Sequence, residues 1–190
     1  MSEAMPNAAI VLSAEALAAI DYEVAKYPAG KQASAVMSAL RIAQKEKGYL
    51  ANETIEYVAA YLSIPAIRAF EVATFYNMYD LKPVGQNKLC LCTNLPCMLS
   101  GALKTAAELK KQLGIDFGET TADGEWTLKE GECFGACAAA PAIIVNNEKM
   151  FENITPDKVA TFLQEVAEQN QNKPAAQSQS KESTNPPDKI

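Results

Sequence analysis

Five cysteines fall in two short stretches, LCLCTNLPC at 89–97 and GECFGACAAAP at 131–141, and the chain has no histidine. If the two stretches act together, the fold must bring positions some forty residues apart to one place. The missing histidine narrows the chemistry as well. It excludes a Ser–His or Cys–His catalytic couple, a Cys₂His₂ zinc finger, a Rieske centre and haem with a histidine ligand. Soft-ligand chemistry here belongs to cysteine.

Composition sets the context for those thiols. At 190 residues the chain is long enough for one full domain and a smaller companion. Hydrophobic residues make up 48% and charged residues 21%, as in ordinary globular proteins. The net charge of -6 argues against a nucleic-acid partner, which needs a basic footprint. No apolar run approaches the ~20 residues of a membrane span, so no direct membrane insertion is expected. The opening MSEAMPNAAIVLSAEA lacks the basic flank and long apolar core of a secretory signal. The expected location is cytoplasmic, and an odd cysteine count there argues against a disulfide framework.

The N-terminal half reads as helices. After a leader at 1–12, Ser13 caps a first helix with Leu17, Ile20 and Val24 on one face, and YPAGK (27–31) breaks it. A second helix carries Val36, Leu40 and Ala43 and stops near Gly48. A third begins after Asn52 with Ile55, Val58, Ala59 and Leu62, and Ser63 and Pro65 open a fourth with Phe70 and Ala73. The expected unit is a small all-helical domain over 13–85. Within it Phe70, Phe75, Tyr76 and Tyr79 are core or interface aromatics, with Tyr76 and Tyr79 assigned to an interface.

The character changes near residue 86. LCLCT predicts a buried strand, ALKTAAELKKQLG an amphipathic helix ending at Gly114, and EWTL (125–128) a strand entered from the Asp123–Gly124 turn. AIIVNNEKMFE predicts two strands joined at Asn146–Asn147, and Thr155 with Pro156 opens a last helix to about Gln169. The order β-α-β-β-β-α over 86–170 predicts an α/β unit with helices flanking a four-stranded sheet. Residues 171–190 are polar and proline-rich, which reads as a disordered tail. Lys104, Lys110 and Lys111 read as a solvated helix face.

Cys92 and Cys97 are separated by four residues, Cys133 and Cys137 by three, each pair in or beside a loop with helix breakers. A two-iron, two-sulfide cluster takes two thiolates per iron, with its negative charge met by backbone N–H groups. A Cys₄ zinc site accepts similar spacings. A thiol oxidoreductase is the third reading, weakened by the lack of a C-x-x-C. Cys90 lies two residues before Cys92 on a strand, about 6.5–7 Å away on the same face. That is too far to share an iron, so Cys90 reads as a small core hydrophobe beneath the site. Thr93 either approaches the cysteines or forms a turn, and Phe134 either shields the site or simply packs. Glu130 and Glu132 lie beside the second pair.

Taken together, EVATFYNMY (71–79), PVG (83–85), CTNLPC (92–97), LGI…GETTADGEWTL (113–128) and ECFGACAAAP (132–141) resemble one family. It is the thioredoxin-like two-iron ferredoxin subunit of bacterial NADH:quinone oxidoreductase, respiratory complex I, and the similarity runs from about Tyr27 to Phe162. Cys90 departs from it, where a plain apolar residue is expected. The resemblance implies a thioredoxin-like four-stranded sheet preceded by the helical domain. It implies that Cys92, Cys97, Cys133 and Cys137 hold one [2Fe-2S] cluster. It also implies a partner, the NADH- and FMN-binding flavoprotein subunit, and the other subunits of the peripheral arm of a membrane-bound complex. The chain itself has no G-x-G-x-x-G and no G-x-x-x-x-G-K-[ST]. It is therefore expected to be a non-catalytic electron-transfer component, with a low potential because Glu130 and Glu132 oppose the charge added on reduction. The equivalent subunit of an NAD-linked hydrogenase or formate dehydrogenase is the alternative within the class.

Overall fold

A computed structural model describes residues 11–171; the first ten residues of the leader and residues 172–190 of the tail lie outside them. Four helices come first: α1 (Ala14–Val24), α2 (Val36–Lys47), α3 (Asn52–Tyr61) and α4 (Ala66–Phe75). The Ser13 hydroxyl accepts the Ala16 N–H at 3.1 Å, capping α1 as its sequence predicts. Gly48 ends α2 at φ +83, a backbone state that a side chain resists. Leu12, Ile20, Leu40, Leu50, Ile55, Val58 and Leu62 are buried together in one core. Ser63 differs from its expected role, because at φ +54 it closes α3 rather than opening α4.

The second half begins with β1 (Asn87–Cys92), followed by α5 (Leu95–Leu99), α6 (Ala102–Leu113), β2 (Trp126–Gly131), β3 (Ile143–Val145), β4 (Lys149–Phe151) and α7 (Val159–Gln171). The strand order is β2-β1-β3-β4, with β1 and β2 parallel and the other neighbours antiparallel. This is the four-stranded α/β sheet the sequence calls for. Asn146 and Asn147, at φ 53 and 57, make the β3–β4 turn. At α7 the start differs: Pro156–Lys158 form a 3₁₀ turn, and the Thr155 side chain caps nothing.

All six residues of β1 are buried, so both faces of the strand are covered. Leu89 and Leu91 join a second core with Leu109 of α6, Leu128 of β2 and Val159, Phe162 and Val166 of α7. Side chains alternate along a strand, so Lys88, Cys90 and Cys92 face the other way, with Cys92, at the strand's end, also touching that core. The chain leaving α4 covers that face. Lys129 of β2 donates to Asn77 O at 3.2 Å, Asn147 donates to Met78 O at 2.8 Å, and the Gly85 N–H meets Thr127 Oγ1 at 2.6 Å.

Asp80 ties this covering segment to both halves. Its backbone N–H donates to Gln44 Oε1 of α2 at 2.7 Å, and its carbonyl accepts the Leu50 N–H at 2.7 Å. Its carboxylate turns the other way, to Lys88 and to Lys129 at 2.9 Å. Tyr79 corrects an expectation. It is only 4% exposed, donates its hydroxyl to Met37 O at 2.8 Å, and belongs to the helical core rather than an interface. Burial pushes its phenol up to about 12. Tyr76 is exposed and stacks edge-to-face with Phe75 at 5.0 Å.

Gly85 shows how closely the segment approaches the sheet. A Cβ there would stand 2.8 Å from the Trp126 carbonyl carbon and 2.9 Å from the Glu125 carbonyl carbon. Those are backbone atoms and cannot swing aside. Gly85→Ala is therefore expected to destabilise by about 1–3 kcal/mol, read as a lower urea midpoint with unchanged slope; an unchanged midpoint would show that the approach is loose.

Candidate functional site

Two loops meet at one end of the sheet because β1 and β2 run parallel and end together. Their register pairs Cys92 with Gly131, so the segments after both strands leave from the same edge. After β1 the chain turns at Thr93–Asn94 and enters α5, a five-residue helix that carries Cys97. After β2 it passes Cys133 and reaches a 3₁₀ turn that begins at Cys137.

Cys92 and Cys97 are buried, each 2% exposed, while Cys133 and Cys137 are exposed. The four thiols interact. Burial, and then the hydrogen-bonded Cys92 thiol, push the Cys97 thiol up. The hydrogen-bonded Cys133 thiol raises Cys137. Cys97 also feels Cys137, and Cys137 feels Cys92, which joins the pairs into one group. In both Cys97 and Cys137 the neighbouring sulfur favours the protonated thiol, which a bound cation would displace. Among the described residues, no three or more Cys, Asp or Glu side chains close around a single metal ion. The thiols stand as two pairs.

Backbone already turns toward sulfur. The Gly135 N–H donates to Cys133 Sγ at 3.4 Å, with Gly135 at φ +78. The loops are also joined to each other. Thr93 Oγ1 donates to Glu130 Oε1 at 2.7 Å, and Asn94 Nδ2 donates to Glu132 Oε2 at 2.8 Å. Thr93 thus turns its hydroxyl to a carboxylate rather than to a thiol, and both glutamates serve as crosslinks. Sequence reading missed Asn94; its Asn-before-helix position was the available signal.

Cys90 lies one strand step below Cys92, at the edge of the thiol group. It is buried at Gly131, where an added Cβ would lie 2.7 Å from Cys90 Sγ and 2.5 Å from the Phe134 ring. Phe134 is half-buried over this spot and packs against the sheet core. Burial raises the Cys90 thiol, opposed by the charges of Lys129 and Lys88. On α6, Lys110 stays at the surface but is held there, pairing with Asp116 and lying 4.3 Å over the Phe117 ring.

A donor set of four thiols in two pairs, with no imidazole and with an N–H aimed at one sulfur, fits a group of two irons and two sulfides. The comparisons agree in kind. The family described as thioredoxin-like [2Fe-2S] ferredoxin matches residues 20–167. A NADH-quinone oxidoreductase subunit of Rickettsia bellii (strain RML369-C) is 41% identical over 144 residues, 75% of this chain and 86% of the relative. Its counterpart in Rhizobium meliloti (strain 1021), likewise a NADH-quinone oxidoreductase subunit, is 43% identical over 129 residues, 68% of this chain and 76% of the relative. A solved NAD⁺-reducing [NiFe]-hydrogenase in the air-oxidised state has a TM-score of 0.61 at 17% identity. That match spans 75% of this chain and 24% of that one, and is a likeness of fold.

Proposed function

The chain belongs to the thioredoxin-like [2Fe-2S] ferredoxin family, and from that membership we propose that Cys92, Cys97, Cys133 and Cys137 hold its one [2Fe-2S] cluster. The chain then acts as the electron-transfer subunit of an NADH:quinone oxidoreductase. It exchanges one electron at a time with the FMN of a flavoprotein subunit that binds NADH. No helix among the described residues is long and apolar enough to cross a membrane. Its place in such a complex is the peripheral arm on the cytoplasmic side, attached through other subunits. The observation that carries this reading is the convergence of two thiol pairs at the common end of β1 and β2.

When bound, the cluster supplies a site that gains and loses single electrons. The protein's part is to hold and insulate. Cys92 is fixed by its N–H bond to Ala142 O at 3.0 Å, and Cys97 by the turn of α5. Their burial keeps water from one side, while Phe134 covers the approach from Gly131. The exposed side, with Cys133 and Cys137, faces outward, where an electron partner can come close. Thr93–Glu130 and Asn94–Glu132 keep the loops at a fixed separation, which limits reorganisation between charge states. The sequence offers no phosphate-cradling glycine motif, so the hydride chemistry belongs to the partner.

The expected result is that NADH alone leaves the iron-loaded chain oxidised, while NADH plus the flavoprotein subunit reduces it within the turnover of the pair. Rapid reduction by NADH without a flavoprotein would contradict the assignment.

A further inference from the structure

The sheet face below the cysteines holds a charge group that the electron-transfer reading leaves unused. Lys88, Cys90 and Cys92 occupy the same face of β1 at steps of about 6.5–7 Å. Lys129 of β2 stands in register with Cys90, one step below the pair Cys92–Gly131. Asp80 bridges both lysines. The Lys88 and Asp80 side chains are 4% and 3% exposed, and Lys129 is a quarter exposed. Burial pulls Lys88 below the usual lysine range, and Asp80 opposes this. Two cations share one carboxylate, so the group carries a net positive charge inside the protein.

We infer that the Asp80–Lys88–Lys129 group tunes the redox centre, its net positive charge beneath Cys90 raising the reduction potential of the cluster held at Cys92. The inference rests on the proposed ligand set. A one-electron reduction adds one negative charge at the centre, and a nearby fixed cation stabilises the reduced state more than the oxidised one. The field reaches the site through protein rather than water. Cys90 stands between the two, in register with Lys129 and one strand step below Cys92. Glu130 and Glu132 carry the opposite charge, but they lie exposed, at the end of β2 and just beyond it, where solvent screens them. Charge for charge, the buried group has the longer reach. Asp80 sets its strength, because it cancels one of the two lysines and is itself anchored to α2 through Gln44. The seat of the helical half on the sheet is thereby linked to the potential of the centre.

The test is a redox titration of the cluster-loaded full chain, followed by EPR, on the parent protein, Lys129→Met, Lys129→Arg and Glu130→Gln. Lys129→Met should move the midpoint to lower potential, and Lys129→Arg should restore it to near the parent value. Glu130→Gln should move it upward by less. If Lys129→Met does not load, Lys129→Gln keeps donors for Asp80 and Asn77 without the charge and is read in its place. A loaded neutral variant with an unchanged or raised midpoint overturns the tuning role alone. A parent chain with no reducible centre overturns the ligand assignment and the inference with it.

Discussion

Cys97→Ala is expected to abolish the [2Fe-2S] group, reducing iron from about two per chain to a small fraction, while Cys90→Ala keeps nearly all of it. The two residues are both buried cysteines seven positions apart, so composition cannot tell them apart. Their surroundings can. Cys97 hydrogen-bonds with Cys92 and feels Cys137. Cys90 lies under Gly131 and Phe134, beside Lys88 and Lys129. Cys92→Ala, Cys133→Ala and Cys137→Ala should behave like Cys97→Ala, because each removes one of two thiolates on an iron. Iron and sulfide analysis of anaerobically purified variants checks this. Loss of iron in Cys90→Ala, with Cys97→Ala spared, would reverse the assignment.

Asp80→Ala is expected to be the most destabilising single change on the seam, by about 3–5 kcal/mol, the usual consequence of removing one partner from a buried ion pair. Here the effect is compounded. Removal leaves Lys88 buried without a counter-charge and Lys129 facing it, and like charges there repel. For a chain of this size the melting temperature should fall by roughly 10 °C, measured by circular dichroism. The contrast is Asp116→Ala, whose partner Lys110 is at the surface; that change should cost under about 1 kcal/mol. A melting temperature for Asp80→Ala as close to the parent as that of Asp116→Ala would mean the seam is wet or loose.

These two results probe features of very different legibility in the sequence. The cysteine pairs could be read from spacing, and Gly48, Gly114 and Asn146–Asn147 announce their turns through residues that tolerate positive φ. Other elements were hidden for physical reasons. Strand β2 runs on through Lys129, Glu130 and Gly131, three residues that read as loop, because pairing with β1 and the reach of Lys129 to Asp80 outweigh local preference. Helix α5 is only five residues long with a proline in its first turn, too short to show a period. The ion group was out of sight altogether. Lys88 borders an apolar run, and its partner lies eight residues back across PVG, so only the fold brings them together. Tyr79 was misplaced for a related reason: an aromatic at a domain edge does not declare which side buries it, and here the Met37 carbonyl does.

The crosslinks from Thr93 and Asn94 belong to the same class. Their partners are 37 and 38 residues away, and the parallel register of β1 and β2 alone makes them neighbours. What the sequence carries is the donor set; what the fold adds is the charge beneath it and the ties between its loops.

The most direct test of the central claim is the visible absorption spectrum of the anaerobically purified chain before and after dithionite, with metal analysis of the same sample. The account predicts broad charge-transfer bands that partly bleach on reduction, with about two irons per chain. A colourless, metal-replete sample holding one zinc would contradict it, and the four thiols would then serve structure rather than electron transfer.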